Sequence, residues 1–180
     1  MGYPCYVPRL PKRNFDAYIP YVFTHKQMQE IFYVSDALTM KYKNMSSKMF
    51  PIPAILRLLY GTGMRVGEAV SLKNGDVNLN NNTILIRKTK NQQQRLIPLN
   101  TSLRQVLLQY VEYRNRLPLA NVSDDEFFFF ISPSGFPLNK SNVYNWFKKV
   151  LKQCGIPHLG GNHGPRTHDL RHTCAVYSLM

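Results

Sequence analysis

The sequence predicts a mostly α-helical domain carrying a small antiparallel β-sheet, an α+β fold. Three observations carry that expectation. Apolar residues recur at helical spacing over most of the chain; one stretch, "TILIRKTKNQQQRLIPL", alternates instead; and 180 residues suffice for one sizeable core.

Residues 1 to 22 are rich in Pro, Tyr and basic residues without a sustained period, and read as a basic linker. The domain proper is expected over 23 to 180. A first helix opens at Thr24, with Gln27 placed to complete a capping box and Met28, Ile31, Phe32 and Leu38 on its apolar side. A second runs through "PIPAILRLLYGTG", where Ile55, Leu58 and Leu59 share a face and Gly61 is the expected stop. A third begins near Arg65. "TILIRKT" and "RLIPL", separated by "NQQQ", form a hairpin. Helical spacing returns in "TSLRQVLLQYVEYRNRL" through Leu103, Val106, Leu107, Tyr110 and Val111. "FFFFI" is expected to be a short buried strand turned by "SPSG". Val143, Trp146, Phe147, Val150, Leu151 and Cys154 make the cleanest helical stripe, ended by Gly155 and read as core rather than as a base-stacking surface. The loop "IPHLGGNHGPR" then leads to a last helix containing "HDLRHTCAVYSLM".

Charge narrows the function. The chain has 23 Lys plus Arg against 10 Asp plus Glu, a net charge of +13. Three of the acids are adjacent, at Asp124, Asp125 and Glu126, so the remaining surface is more basic still. Such a field attracts polyanions, nucleic acid before an acidic membrane. No apolar run reaches the ~18 residues of a membrane span. The N-terminus lacks the apolar centre of a signal peptide, and Tyr6 stands where a myristoylation signal needs Ser or Thr. Cys5, Cys154 and Cys174 are odd in number and unpaired in sequence, which suits a reducing cytoplasm.

Two arginine-bearing segments stand out. Arg65 follows "YGTGM", whose glycines bring a helix N-terminus, a ready anion site, close behind it. Arg171 follows His168 by three residues, so both project from one side of a helix. A guanidinium fork binds two oxygens of one phosphate and keeps its charge at any physiological pH. Two forks on one phosphodiester would neutralise charge building on a pentacoordinate phosphorus. Losing one such stabiliser costs ~3–4 kcal/mol of barrier by analogy with oxyanion holes.

In order, "TGMRVGEAVSL", "ILIRKTKNQQQRLIPL", "FFFFISPSGFPL" and "HDLRHT" resemble the tyrosine recombinase (phage integrase) family, over about residues 20 to 180. The resemblance implies a recombinase catalytic domain that cuts one DNA strand with a tyrosine and holds a 3′-phosphotyrosine. That covalent link stores the bond, so no cofactor or metal is needed. It implies Arg65, Lys90, His168 and Arg171 as the catalytic group, with Lys90 giving a proton to the departing 5′ oxygen. Lys88 lies on the same strand face as Lys90 and is its alternative. Glu68 matches the acid that follows the first arginine; it orients the site or is a plain surface acid. His172 matches a second histidine that packs or hydrogen-bonds. Lys88, Arg95 and Arg166 are assigned to DNA contact. Asn and Gln replace the Gly and Lys usual in the hairpin loop, which weakens its grip on DNA.

The same resemblance implies double-stranded DNA as partner, self-association as a tetramer on DNA, no membrane, and a cytoplasmic, nucleoid-associated location. It also implies a nucleophile some tens of residues past His-x-x-Arg, whereas nine residues follow Arg171 here. The catalytic domain is therefore expected to be incomplete, without the preceding core-binding domain, and inactive alone. Tyr177, nine positions after His168, comes too early to match and is expected to pack. The competing readings are a non-catalytic DNA-binding protein or a decayed integrase product, and a metal-dependent nuclease. For the last, Cys154, His158, His163, His168, His172 and Cys174 cluster in sequence, but tight ligand pairs are lacking and Asp169 has no carboxylate near it. An RNA-binding reading lacks an aromatic RNP-type signature.

Overall fold

The computed structural model describes residues 20–38, 49–87, 94–158 and 164–179. Among these residues six α-helices and a three-stranded sheet share one core. The first helix, α1 (His25–Asp36), starts where expected: Thr24 Oγ1 accepts the Gln27 amide at 3.2 Å, and Gln27 Oε1 accepts the Thr24 amide at 2.9 Å.

The second helix, α2 (Ile52–Thr62), is the pillar of the fold. It buries Ile52, Ala54, Ile55, Leu56, Leu58 and Leu59 on one broad face, while Pro53, Arg57 and Tyr60 on the other side are half-buried. So broad an apolar face must be covered, and α2 packs against α1 and against the four helices that follow it. The expected stop at Gly61 is corrected. Gly61 remains helical, and the chain leaves the helix at Gly63, whose φ of 60° is left-handed and whose amide donates to the Leu59 carbonyl. Only the second glycine meets the steric demand of that reversal.

A short helix, α3 (Val66–Val70), and a 3₁₀ turn (Asn74–Asp76) lead into the sheet of β1 (Val77–Asn78), β2 (Thr83–Ile86) and β3 (Arg95–Pro98). Its order is β1-β2-β3, antiparallel throughout, with Ile84 opposite Ile97 and Ile86 opposite Arg95. Ile84, Ile86 and Ile97 face the core, while Leu96 points to solvent. The hairpin is thus as expected; its turn, 88–93, lies outside the described residues.

Helix α4 (Thr101–Asn115), capped by the Asn100 side chain, buries Leu103, Leu107, Tyr110 and Arg114 along one stripe. The "FFFFI" segment does not form a strand of the sheet, contrary to expectation. It makes two isolated bridges, Lys73 with Phe128 and Ile131 with Pro137. Side chains and loops satisfy its backbone instead. Tyr110 Oη donates to the Phe129 carbonyl at 3.0 Å and accepts the Ile131 amide at 3.1 Å, and Arg114 Nη1 donates to the same carbonyl at 3.1 Å. Burial pushes the Tyr110 phenol above its ordinary range, so it stays protonated and able to donate. The "SPSG" turn is present, with Gly135 at φ 82°.

Helix α5 (Lys140–Gln153) presents Val143, Phe147, Val150 and Leu151 to the core and ends before Gly155, at φ 66°. Trp146 is half-buried at its edge, with the Lys149 ammonium 4.0 Å from its ring. The last helix is α6 (Thr167–Ser178). Among the described residues no helix is long and apolar enough to cross a membrane.

The location of the α2 stop is testable. Gly63→Ala places a Cβ on a left-handed residue and is expected to cost about 1–2 kcal/mol in urea unfolding. Gly61→Ala gains helix propensity against a 3.1 Å approach to Leu103 Cδ2 and is expected to stay within about 1 kcal/mol of neutral. Equal losses at both positions would contradict the assignment.

Candidate active site

The turn at Gly63 brings two distant segments together. A Cβ on Gly63 would lie 3.8 Å from Arg171 Cγ and 3.5 Å from Cys174 Sγ, so α6 crosses directly over the reversal. Two residues later Arg65 caps α3. Its side chain is 44% exposed and borders a cleft of about 920 Å³ between α3, the sheet and α5.

Arg65, Glu68, Lys140 and His168 line the cleft on one side. Lys73 and Arg87 line the other, paired with Glu126 and Asp76 respectively. The helix end behind Arg65 is already partly used. Glu68 Oε2 accepts the Arg65 amide at 2.9 Å, and Oε1 accepts Arg65 Nη1 at 3.1 Å. Oε2 also accepts Arg95 Nη2 at 2.7 Å. With 6% side-chain exposure, Glu68 is not a plain surface acid.

His168 and His172 meet edge to face, with ring centroids 4.7 Å apart. The His168 imidazole is held below its ordinary pKa of 6.5, first by burial, then by His172, Arg171 and Arg65, against an opposing pull from Asp169. Both arginines therefore act on one imidazole. Arg171 shows one further feature: its Nη1 is buried and has no hydrogen-bond partner among the described residues.

Of the expected residues, Arg65, Glu68, Arg95 and His168 gather at the cleft, with Arg171 and His172 on the adjoining helix. Arg166 sits at the start of α6, where its amide donates to Asp169 Oδ2 at 2.7 Å. Lys88 and Lys90 lie outside the described residues. No group of three His, Cys, Asp or Glu close enough to hold a metal ion occurs among the described residues; His163 lies outside them.

Two features were not read from sequence. Lys140 runs across α3 into the cleft because Gly67 has no side chain: a Cβ there would stand 2.7 Å from Lys140 Cε. Gly67, beside Glu68, was the available signal. The second is a ladder along α6. Asp169, Thr173 and Tyr177, four residues apart, hold the backbone of 21–23. Asp169 Oδ1 accepts the Tyr21 amide at 3.2 Å, Thr173 Oγ1 the Phe23 amide at 3.1 Å, and Tyr177 Oη donates to the Phe23 carbonyl at 3.1 Å. Tyr177 also stacks on His25 at 4.0 Å, so it packs as the sequence suggested.

The fold is a mostly helical domain with a small antiparallel sheet, in which Arg65 and Arg171 both bear on the His168 imidazole. The chain belongs to the phage integrase family, whose model matches residues 21–177. It is similar to the tyrosine recombinase XerC of Bacillus licheniformis, 34% identical over 178 residues, covering 98% of this chain and 53% of that one. Among solved structures it is similar to the XerA recombinase, with a TM-score of 0.69 at 23% identity, covering 94% of this chain and 52% of that one. It is also similar to the XerH site-specific recombinase bound to its difH substrate, with a TM-score of 0.65 at 24% identity, covering 89% and 43%. These structures share the fold of tyrosine recombinase catalytic domains. The chain spans about half the length of the curated relatives it matches.

The ladder predicts its own energetics. Thr173→Val keeps shape but leaves the buried Phe23 amide unpaired, and is expected to cost about 1–3 kcal/mol in urea unfolding. A loss below about 0.5 kcal/mol would show that the contact does not hold the segment.

Proposed function

We propose that this chain binds duplex DNA through its backbone and presents one phosphodiester to Arg65, Arg171 and His168, the phosphate-gripping half of a site-specific tyrosine recombinase. The observation that carries this reading is the buried Nη1 of Arg171, which has no hydrogen-bond partner among the described residues. A buried donor without an acceptor is costly, and a phosphate oxygen would satisfy it. The net charge of +13 supports the same ligand class. The XerH site-specific recombinase is bound to its difH substrate in its structure, which makes duplex DNA the first ligand to test. Lys90 as proton donor to the leaving oxygen, assembly of several copies on DNA, and a cytoplasmic location with the cell's DNA belong to this reading.

In the reaction so proposed, the two guanidinium groups take the charge that grows on the non-bridging oxygens. His168, held neutral near pH 7, donates its one N–H to the same phosphate. Tyr177 is not the nucleophile, because its hydroxyl is committed to the Phe23 carbonyl and its ring to His25.

Duplex binding is expected to weaken roughly 40-fold between about 50 and 200 mM salt if about three phosphates are neutralised. A bound phosphate favours the imidazolium of His168, so binding takes up a proton. Affinity is therefore expected to rise as pH falls toward the lowered pKa of the free His168 and to level off below it, and His168→Gln is expected to flatten that rise. A nicked suicide duplex is expected to give no SDS-resistant adduct at Tyr177. Salt-independent binding would refute the phosphate reading, and an adduct mapped to Tyr177 would refute its packing role.

A further inference from the structure

The cleft contains an arrangement that the phosphate reading does not by itself require. Glu68 receives three donors, and the shortest bond, 2.7 Å, comes from Arg95 rather than from Arg65, whose side chain stands at 3.1 Å. Arg95 reaches it because of strand register. It stands opposite Ile86, a residue of the inner face, and so is turned toward α3 instead of toward solvent.

Left to themselves, a carboxylate and a guanidinium close into a two-bond fork. That pairing would occupy the edge of Arg65 that a phosphate needs and would cancel its charge. Here Oε2 is filled by Arg95 and the Arg65 amide, so the Arg65 side chain gives Glu68 one N–H. The rest of its five donors stay available. Two guanidinium groups against one carboxylate also leave the cluster with a positive charge.

We infer that Arg95 is a positioning residue for the Arg65 clamp: it acts through Glu68, keeping that carboxylate from closing on Arg65, and does not itself contact DNA. This rests on the phosphate-binding reading of the cleft and departs from the sequence-based assignment of Arg95 to DNA contact. Strand β3 is thereby mechanically tied to the first arginine of the site.

A double-mutant cycle tests it on the whole chain with a duplex as probe. Arg95→Ala is expected to weaken binding roughly tenfold at low salt and to reduce the log–log salt slope by about one, because Arg65 is captured by Glu68. Adding Glu68→Gln removes the captor and is expected to restore both, to within about threefold of Glu68→Gln alone. Equal losses in both backgrounds would mean that Arg95 touches phosphate itself, and no loss in either would mean that it positions nothing. Both results overturn the proposal. If Arg95→Ala does not fold, Arg95→Gln carries the same cycle.

A second measurement needs no DNA. Side-chain nitrogen NMR of Arg65 in the free protein is expected to show slowed rotation of its guanidinium in Arg95→Ala, as two bonds replace one. An Arg65 signal unchanged by the substitution would overturn the inference. Failure of the unsubstituted chain to bind any duplex would sink the phosphate reading separately.

Discussion

The reversal at Gly63 is the constraint on which the site depends. Helix α2 buries a broad apolar face against the helices around it, so the chain must turn sharply where it leaves the helix. It leaves through one left-handed glycine, and the missing side chain at that glycine is where Arg171 and Cys174 of α6 pass. Arg171 of α6 therefore lies close to the turn that leads, two residues later, to Arg65. A side chain there would strain the left-handed turn.

Helix α6 then serves two masters. One face carries His168, which lines the cleft, with Arg171 and His172 beside it. Another carries Asp169, Thr173 and Tyr177, whose polar atoms complete the backbone of 21–23. The segment entering the domain is thus bonded to the helix bearing half of the proposed clamp. Phe23, fully buried against Phe147, adds apolar contact to those hydrogen bonds. Local order in the entering segment and the aim of His168 and Arg171 are therefore linked through one rigid helix.

What the sequence revealed follows from which interactions are local. The Thr24–Gln27 cap, the hairpin and the α5 stripe depend on residues within a few positions of one another, and each is legible. The "FFFFI" segment misled because a run of buried apolar residues fits a strand, whereas its backbone partners are Tyr110, Arg114 and Leu72, far away in sequence. Gly61 and Gly63 could not be ranked without knowing that Gly61 still fits the helix beside Leu103. At the site, Arg65, His168 and Arg171 were found through spacing and resemblance. The sharing of Glu68 between Arg65 and Arg95 was hidden, since it needs the β2–β3 register. So was Lys140, whose place depends on the approach of α5 to Gly67.

The central claim is that Arg65 and Arg171 grip one phosphate together. Groups that act as a unit lose their joint effect when either is removed. The most direct test is the duplex affinity of Arg65→Ala, Arg171→Ala and the double variant at one fixed low salt concentration. If the two share a phosphate, the double variant binds little worse than the weaker single one. Losses that simply add would place the two arginines on separate phosphates and contradict the account.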